Sequence, residues 1–214
     1  MKKNLTEIVF VLDRSGSMAG LEADTIGGFN SLVEKQKEEA GTAIVSTVLF
    51  DHETEVIHDR VDIQKIAPLT SKEYYVRGST ALLDAVGKAI HHIGNVHKYA
   101  REEDRPDRTL FAIITDGMEN ASSMYSYSQI KEMIRRQKKY GWEFLFLVAN
   151  IDAPKEAARL GIHRDRAVNY CPDIQGTRAV YESVDEAICQ VRKSKKPLSP
   201  NWKQRVDEDY KTRG

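Results

Sequence analysis

The chain opens on an unbroken apolar run, Ile8-Val9-Phe10-Val11-Leu12, that stops abruptly at charged and hydroxyl residues. A strand-length run with no polar alternation predicts a central parallel strand covered on both faces. Leu110-Phe111-Ala112-Ile113-Ile114 and Phe144-Leu145-Phe146-Leu147-Val148 repeat that character. Another strand is expected from Ile44 to Phe50. Thr54–Val61 should pair with it as a hairpin, with Asp51-His52-Glu53 as the turn.

Between these runs the apolar period lengthens to that of a helix. Ile26, Phe29 and Val33 follow the first strand, and Leu83, Val86, Ile90 and Ile93 follow Thr80. Ile130, Met133 and Ile134 mark a third helix, with Ser126 and Gln129 spaced as a capping box and Gly141 at its exit. Val180, Val184, Ile188 and Val191 line a last helix ending near Lys193. Strands alternating with helices predict an α/β, Rossmann-like, doubly wound and mainly parallel sheet. Helices should cover both faces, with one antiparallel edge strand.

Charge changes the picture at the carboxyl end. The chain of 214 residues carries 32 basic and 32 acidic side chains. From Lys193 to Gly214 there are seven Lys or Arg (Lys195 among them) and three acids, which leaves 25 basic and 29 acidic residues before it. Residues 1–192 are therefore expected to form the domain. Residues 193–214 read as a basic, flexible extension or docking segment outside the core. Zero net charge argues against a nucleic-acid binder and a polybasic membrane-surface protein. Apolar runs are far shorter than the roughly 20 residues of a membrane span. Met1-Lys2-Lys3-Asn4 leads straight into the first strand, so no signal peptide is expected. Cys171 and Cys189 have neither metal-ligand spacing nor a disulfide framework, and are expected to be buried, reduced thiols of a cytoplasmic protein.

The candidate chemistry sits where strands end. The first strand runs into Asp13-Arg14-Ser15-Gly16-Ser17, and the strand over 110–114 into Thr115-Asp116-Gly117. Arg77-Gly78-Ser79-Thr80 opens the second helix. In a parallel sheet these loops converge beyond the strands' carboxyl ends, where ligands bind. They supply carboxylates and hydroxyls, hard oxygen donors suited to Mg2+ or Mn2+. Taken singly, each loop is an ordinary cap or turn.

Asp13-x-Ser15-x-Ser17, then Thr80, then Asp116 resembles the metal-ion-dependent adhesion site of von Willebrand factor type A domains. The resemblance spans roughly residues 5–192, and all five motif positions are intact. Leu12-Asp13-Arg14-Ser15-Gly16-Ser17-Met18 and Gly78-Ser79-Thr80-Ala81-Leu82-Leu83-Asp84-Ala85 look most like the stand-alone, intracellular bacterial members. The extension has no counterpart in that pattern. The resemblance implies that Ser15, Ser17 and Thr80 place hydroxyls on the ion, while Asp13 and Asp116 hold coordinated water and orient those hydroxyls, or ligate the ion directly in some states. An Asp or Glu of a partner protein would complete the ion's shell. Met18, Arg77, Met118, Glu119 and Asn120 are expected to rim the site, with Tyr125 and Tyr127 as exposed aromatic anchors.

The implied function is a divalent-metal-dependent protein-binding module rather than an enzyme. The alternative is a metal-dependent phosphoesterase or phosphotransfer enzyme using the same ion, with His52 weighed as its base. No Gly-x-Ser-x-Gly elbow, P-loop or Gly-x-Gly-x-x-Gly is present. His91, His92 and His97 lack metal-ligand spacing and read as a solvated helix face.

Overall fold

Each expected strand forms, lengthened by its polar flanks. The computed structural model describes residues 4–194 and 196–214; the Met1-Lys2-Lys3 leader reading and Lys195 lie outside the described residues. Strands β1 (Leu5–Asp13), β2 (Thr42–Phe50), β3 (Thr54–Asp62), β4 (Arg108–Thr115), β5 (Trp142–Val148) and β6 (Ala167–Asn169) build a six-stranded sheet. Its order is β3-β2-β1-β4-β5-β6. Among the described residues only β2 and β3 pair antiparallel, which puts the antiparallel strand at an edge.

The apolar runs are explained by two cores. Ile8, Phe10 and Leu12 point to one face of the sheet, and Val9 and Val11 to the other, as the two-residue period of a strand requires. On the first face pack α1 (Glu22–Glu38), α5 (Ile174–Lys193) and α6 (Gln204–Arg213), burying Phe29, Val33, Val180, Val184 and Val206. On the second pack α2 (Leu82–Tyr99), α3 (Tyr127–Lys138) and α4 (Ala153–Leu160), burying Val86, Ile90, Ile130, Ile134 and Ala157. The capping box of Ser126 and Gln129 opens α3, and Gly141 beyond its end is left-handed.

Three regions differ from expectation. Both α4 and the short β6 lay outside the predicted elements, although Asp152 caps α4 and Pro154 sits in its first turn. The extension is not excluded from the core. Leu198, Trp202 and Val206 recur every four residues, and all three are buried in the first core. The Trp202 indole also donates to the Asp165 carbonyl at 2.9 Å. His97 leaves the solvated face: it lies 2.5 Å from the buried Glu7 carboxylate and edge-on to Trp142. Cys171 is buried, whereas Cys189 is half-buried; both are unpaired.

Candidate metal centre

The chain leaves β1 and β4, adjacent parallel strands, in opposite directions. β1 leads to α1 on one face and β4 leads to α3 on the other. Such a reversal opens a crevice between the two carboxyl ends, the usual ligand position in open α/β sheets. Asp13 is the last residue of β1 and Asp116 the first beyond β4.

All five motif residues meet in that crevice. Thr80 Oγ1 donates to Ser15 Oγ at 3.0 Å, and the Ser15 and Ser17 hydroxyls are 3.1 Å apart. Ser17 Oγ donates to Asp116 Oδ1 at 2.5 Å. Asp13 Oδ1 accepts the Ser15 amide at 2.7 Å and Oδ2 accepts the Thr115 hydroxyl at 2.5 Å. Three hydroxyls and a carboxylate oxygen thus form one connected cluster, with the second carboxylate tied to the same loop.

The electrostatics are unusual. Asp13 and Asp116 are 1% and 2% exposed, yet among the described residues no Lys, Arg or His pairs with either. Burial pushes the Asp13 carboxyl up to about 6, against the opposing Thr115 and Ser15 donors, and the Asp116 charge adds to the rise. Burial raises Asp116 as well. An unpaired buried carboxylate costs several kcal/mol, so the crevice holds a standing demand for positive charge. Its donors are all oxygens, and that set fits a hard divalent ion.

The loops are fixed by a pairing that the sequence pattern does not give, since it expects Arg77 at the rim and Asp51 in a turn. Buried Arg14, between the motif positions, donates to Asp51 Oδ2 at 2.8 Å, and Arg77 reaches the same oxygen at 2.9 Å. Burial raises the Asp51 carboxyl, but the Glu53 amide and the Arg77 and Arg14 guanidiniums outweigh it and hold it below the ordinary value. Asp51, His52 and Glu53 lie close enough to suggest a second cation site. The two guanidiniums already on Asp51 argue against it. His52 Nδ1 lies 2.9 Å from Asp51 Oδ1 and packs on Gly78, which has a φ of +67° and where a Cβ would fall 2.1 Å from that nitrogen. No sequence pattern links the members of this clamp: Asp51 lies 37 residues from Arg14 and 26 from Arg77, so only the fold brings them together.

The expected rim is mixed. Met118 is 64% exposed beside the site. Arg77 is partly exposed but engaged by Asp51 and Glu53. Asn120 accepts the Thr80 amide at 2.8 Å and its own amide donates to the Thr80 carbonyl, so it positions the loop. Met18 is buried at 2% exposure, because its 3-10 turn folds it inward. Glu119 is used internally, accepting the Leu83, Ala121 and Ser122 amides. Tyr125 packs on Gly87 of α2. Tyr127 donates to Glu156 beneath the Arg159 guanidinium, and is not an exposed anchor.

No family model matches the sequence, and no curated protein matches it. Solved structures do. Proximal thread matrix protein 1 from the mussel byssus, with a zinc-occupied MIDAS motif, shares 15% identity over 86% of this chain and 46% of its own, at a TM-score of 0.58. The chain thus spans about half the length of that protein. Manganese-loaded TRAP protein of Plasmodium vivax shares 16% identity over 84% of this chain and 73% of its own, at 0.59. A von Willebrand factor type A structure from Catenulispora acidiphila shares 14% over 85% and 42%, at 0.56. At these identities the likeness is one of fold, and the fold of this chain is that of a von Willebrand factor type A domain.

Proposed function

We propose that this von Willebrand factor type A fold serves as a divalent-cation-dependent protein-binding module whose ion is completed by an Asp or Glu of a partner. One observation carries the reading: two buried carboxylates, unpaired with any basic side chain among the described residues, face three convergent hydroxyls. Ser15, Ser17 and Thr80 would hold Mg2+ or Mn2+ directly, while Asp13 and Asp116 orient those hydroxyls and hold the ion's water. Bound there, the ion supplies an electrophilic position for an incoming carboxylate. Mostly neutral ligands leave its charge poorly compensated, and that favours an anionic partner group. The zinc and manganese in similar structures support a divalent ion without choosing among metals.

The phosphoryl-transfer alternative has less support. His52 is occupied by Asp51 and Gly78 on the β2–β3 turn. Two unpaired cysteines fit a reducing compartment; among the described residues no helix is long and apolar enough to cross a membrane. Calorimetric titration with Mg2+ and Mn2+ tests the reading, followed by an array of Asp- and Glu-containing peptides probed with Mn2+ or chelator. Ion-dependent retention of acidic peptides is the expected result. Ion binding without any carboxylate preference would reduce the site to a brace for its own loops.

A further inference from the structure

Between the 3-10 turn after β3 and the start of α2 lies a stretch, residues 66–81, with neither helix nor strand. Irregular segments of that length inside a compact domain are uncommon unless functional. This one ends by presenting Thr80. Its course is not set by regular hydrogen bonding, so something else must fix where Thr80 arrives.

Asn120 and Asp51 hold the strap's end at Thr80 and Ala81, and Asn30 of α1 holds Leu69; further contacts run to the β1–α1 loop. Arg77 N donates to the Arg14 carbonyl at 2.9 Å, and Gly16 N donates to the Gly78 carbonyl at 3.1 Å. The Arg14 guanidinium reaches the Glu73 carbonyl at 3.2 Å. In the middle of the stretch Tyr74 is fully buried, and its hydroxyl donates to the backbone carbonyl of Asp13 at 2.5 Å. Its neighbour Tyr75 is exposed, lying beneath the Arg14 and Arg77 guanidiniums. Ile66, Leu69 and Tyr74 all bury the strap in the first core, and Tyr74 is the one of the three whose side chain ties it to the residue bearing the first carboxylate.

We infer that Tyr74 is a positioning residue for the metal centre, setting the register of the 66–81 strap so that the Thr80 hydroxyl meets Ser15. This deepens the function proposed above and rests on it. The hydroxyl touches no ligand of the ion; it acts through the Asp13 carbonyl at one end and the strap at the other. A Phe at position 74 keeps the buried ring and removes only that tie. Supporting groups of this kind typically cost 10–100-fold in metal affinity when lost.

The test compares wild type, Tyr74→Phe and Tyr127→Phe. The last removes a tyrosine hydroxyl bonded to Glu156, remote from the strap, and controls for general destabilisation. Manganese affinity is measured by calorimetry, and amide hydrogen exchange is followed in chelator. Tyr74→Phe is expected to weaken Mn2+ about 10-fold and to speed exchange at Gly16 and Arg77. Tyr127→Phe should do neither. Unchanged affinity in Tyr74→Phe overturns the inference, whatever its exchange does, and equal losses in both variants reduce it to stability. If wild type binds no ion, the binding reading falls with it; exchange at Gly16 and Arg77 then decides the register alone, and unchanged exchange overturns that too.

Discussion

Strand β1 buries an acid near each end, and the two are treated oppositely. Glu7, toward the amino end, is fully buried and receives Arg60 of β3 at 2.7 Å and His97 of α2 at 2.5 Å. Asp13, at the carboxyl end, is as deeply buried and, among the described residues, receives only neutral donors. The strand, the residue chemistry and the burial are shared; the supply of counter-charge is not. An acid whose cation comes from the chain is part of the fold. An acid left without one is available to a cation from outside.

Four measurements can break or sharpen that contrast. The largest effect is expected from Glu7→Ala, which strands Arg60 and should cost about 3 kcal/mol in chemical denaturation while leaving Mn2+ affinity within twofold. Asp116→Ala should do the reverse, weakening Mn2+ by about 100-fold, or roughly 2.7 kcal/mol, with little loss of metal-free stability. If Asp116→Ala unfolds the chain, or Glu7→Ala loses the ion, the two ends are not distinct. Third, an ion at about 100 times its Kd should stabilise the wild type by about 2.7 kcal/mol, read as a chelator-reversible rise in Tm.

The smallest effect concerns Asp13 itself. Its native value of about 6 lies above its ordinary 3.8, so the penalty is absent below 3.8, grows between 3.8 and 6, and levels off above 6. In chelator, wild type should lose about 1 kcal/mol between pH 5 and pH 7 relative to Asp13→Asn. Asp13→Asn should be the more stable of the two at pH 7, yet fail to hold the ion. A flat difference across that range would mean that the Asp13 charge is compensated after all.

The two ends were also unequally legible. Asp13, Ser15, Ser17, Thr80 and Asp116 stand out because three loops each carry hard oxygen donors at a strand end or helix start. The apolar runs placed those ends correctly, being long and unbroken. Glu7 had no such signal: its partners Arg60 and His97 lie 53 and 90 residues away. Trp202 and Val206 were hidden among charges, since a sparse four-residue repeat becomes core only when Asp165 and α5 lie opposite. Met18 and Glu119 fooled the rim reading for a related reason. Proximity in sequence to a motif says nothing about which way a turn folds the side chain.

The central place of β1 has a consequence for how the protein comes into being. Ser17 and Asp116 are bonded across 99 residues of chain, and β1 lies between β2, near it in sequence, and β4, far from it. Long-range pairing of this kind forms slowly. During synthesis from the amino end, a nascent chain that has just completed α2 already holds Asp13, Ser15, Ser17 and Thr80 but lacks the carboxylate that opposes them. On the proposed function, capture by the complete site would follow closure of the sheet, and a bound ion would report a chain that has closed it.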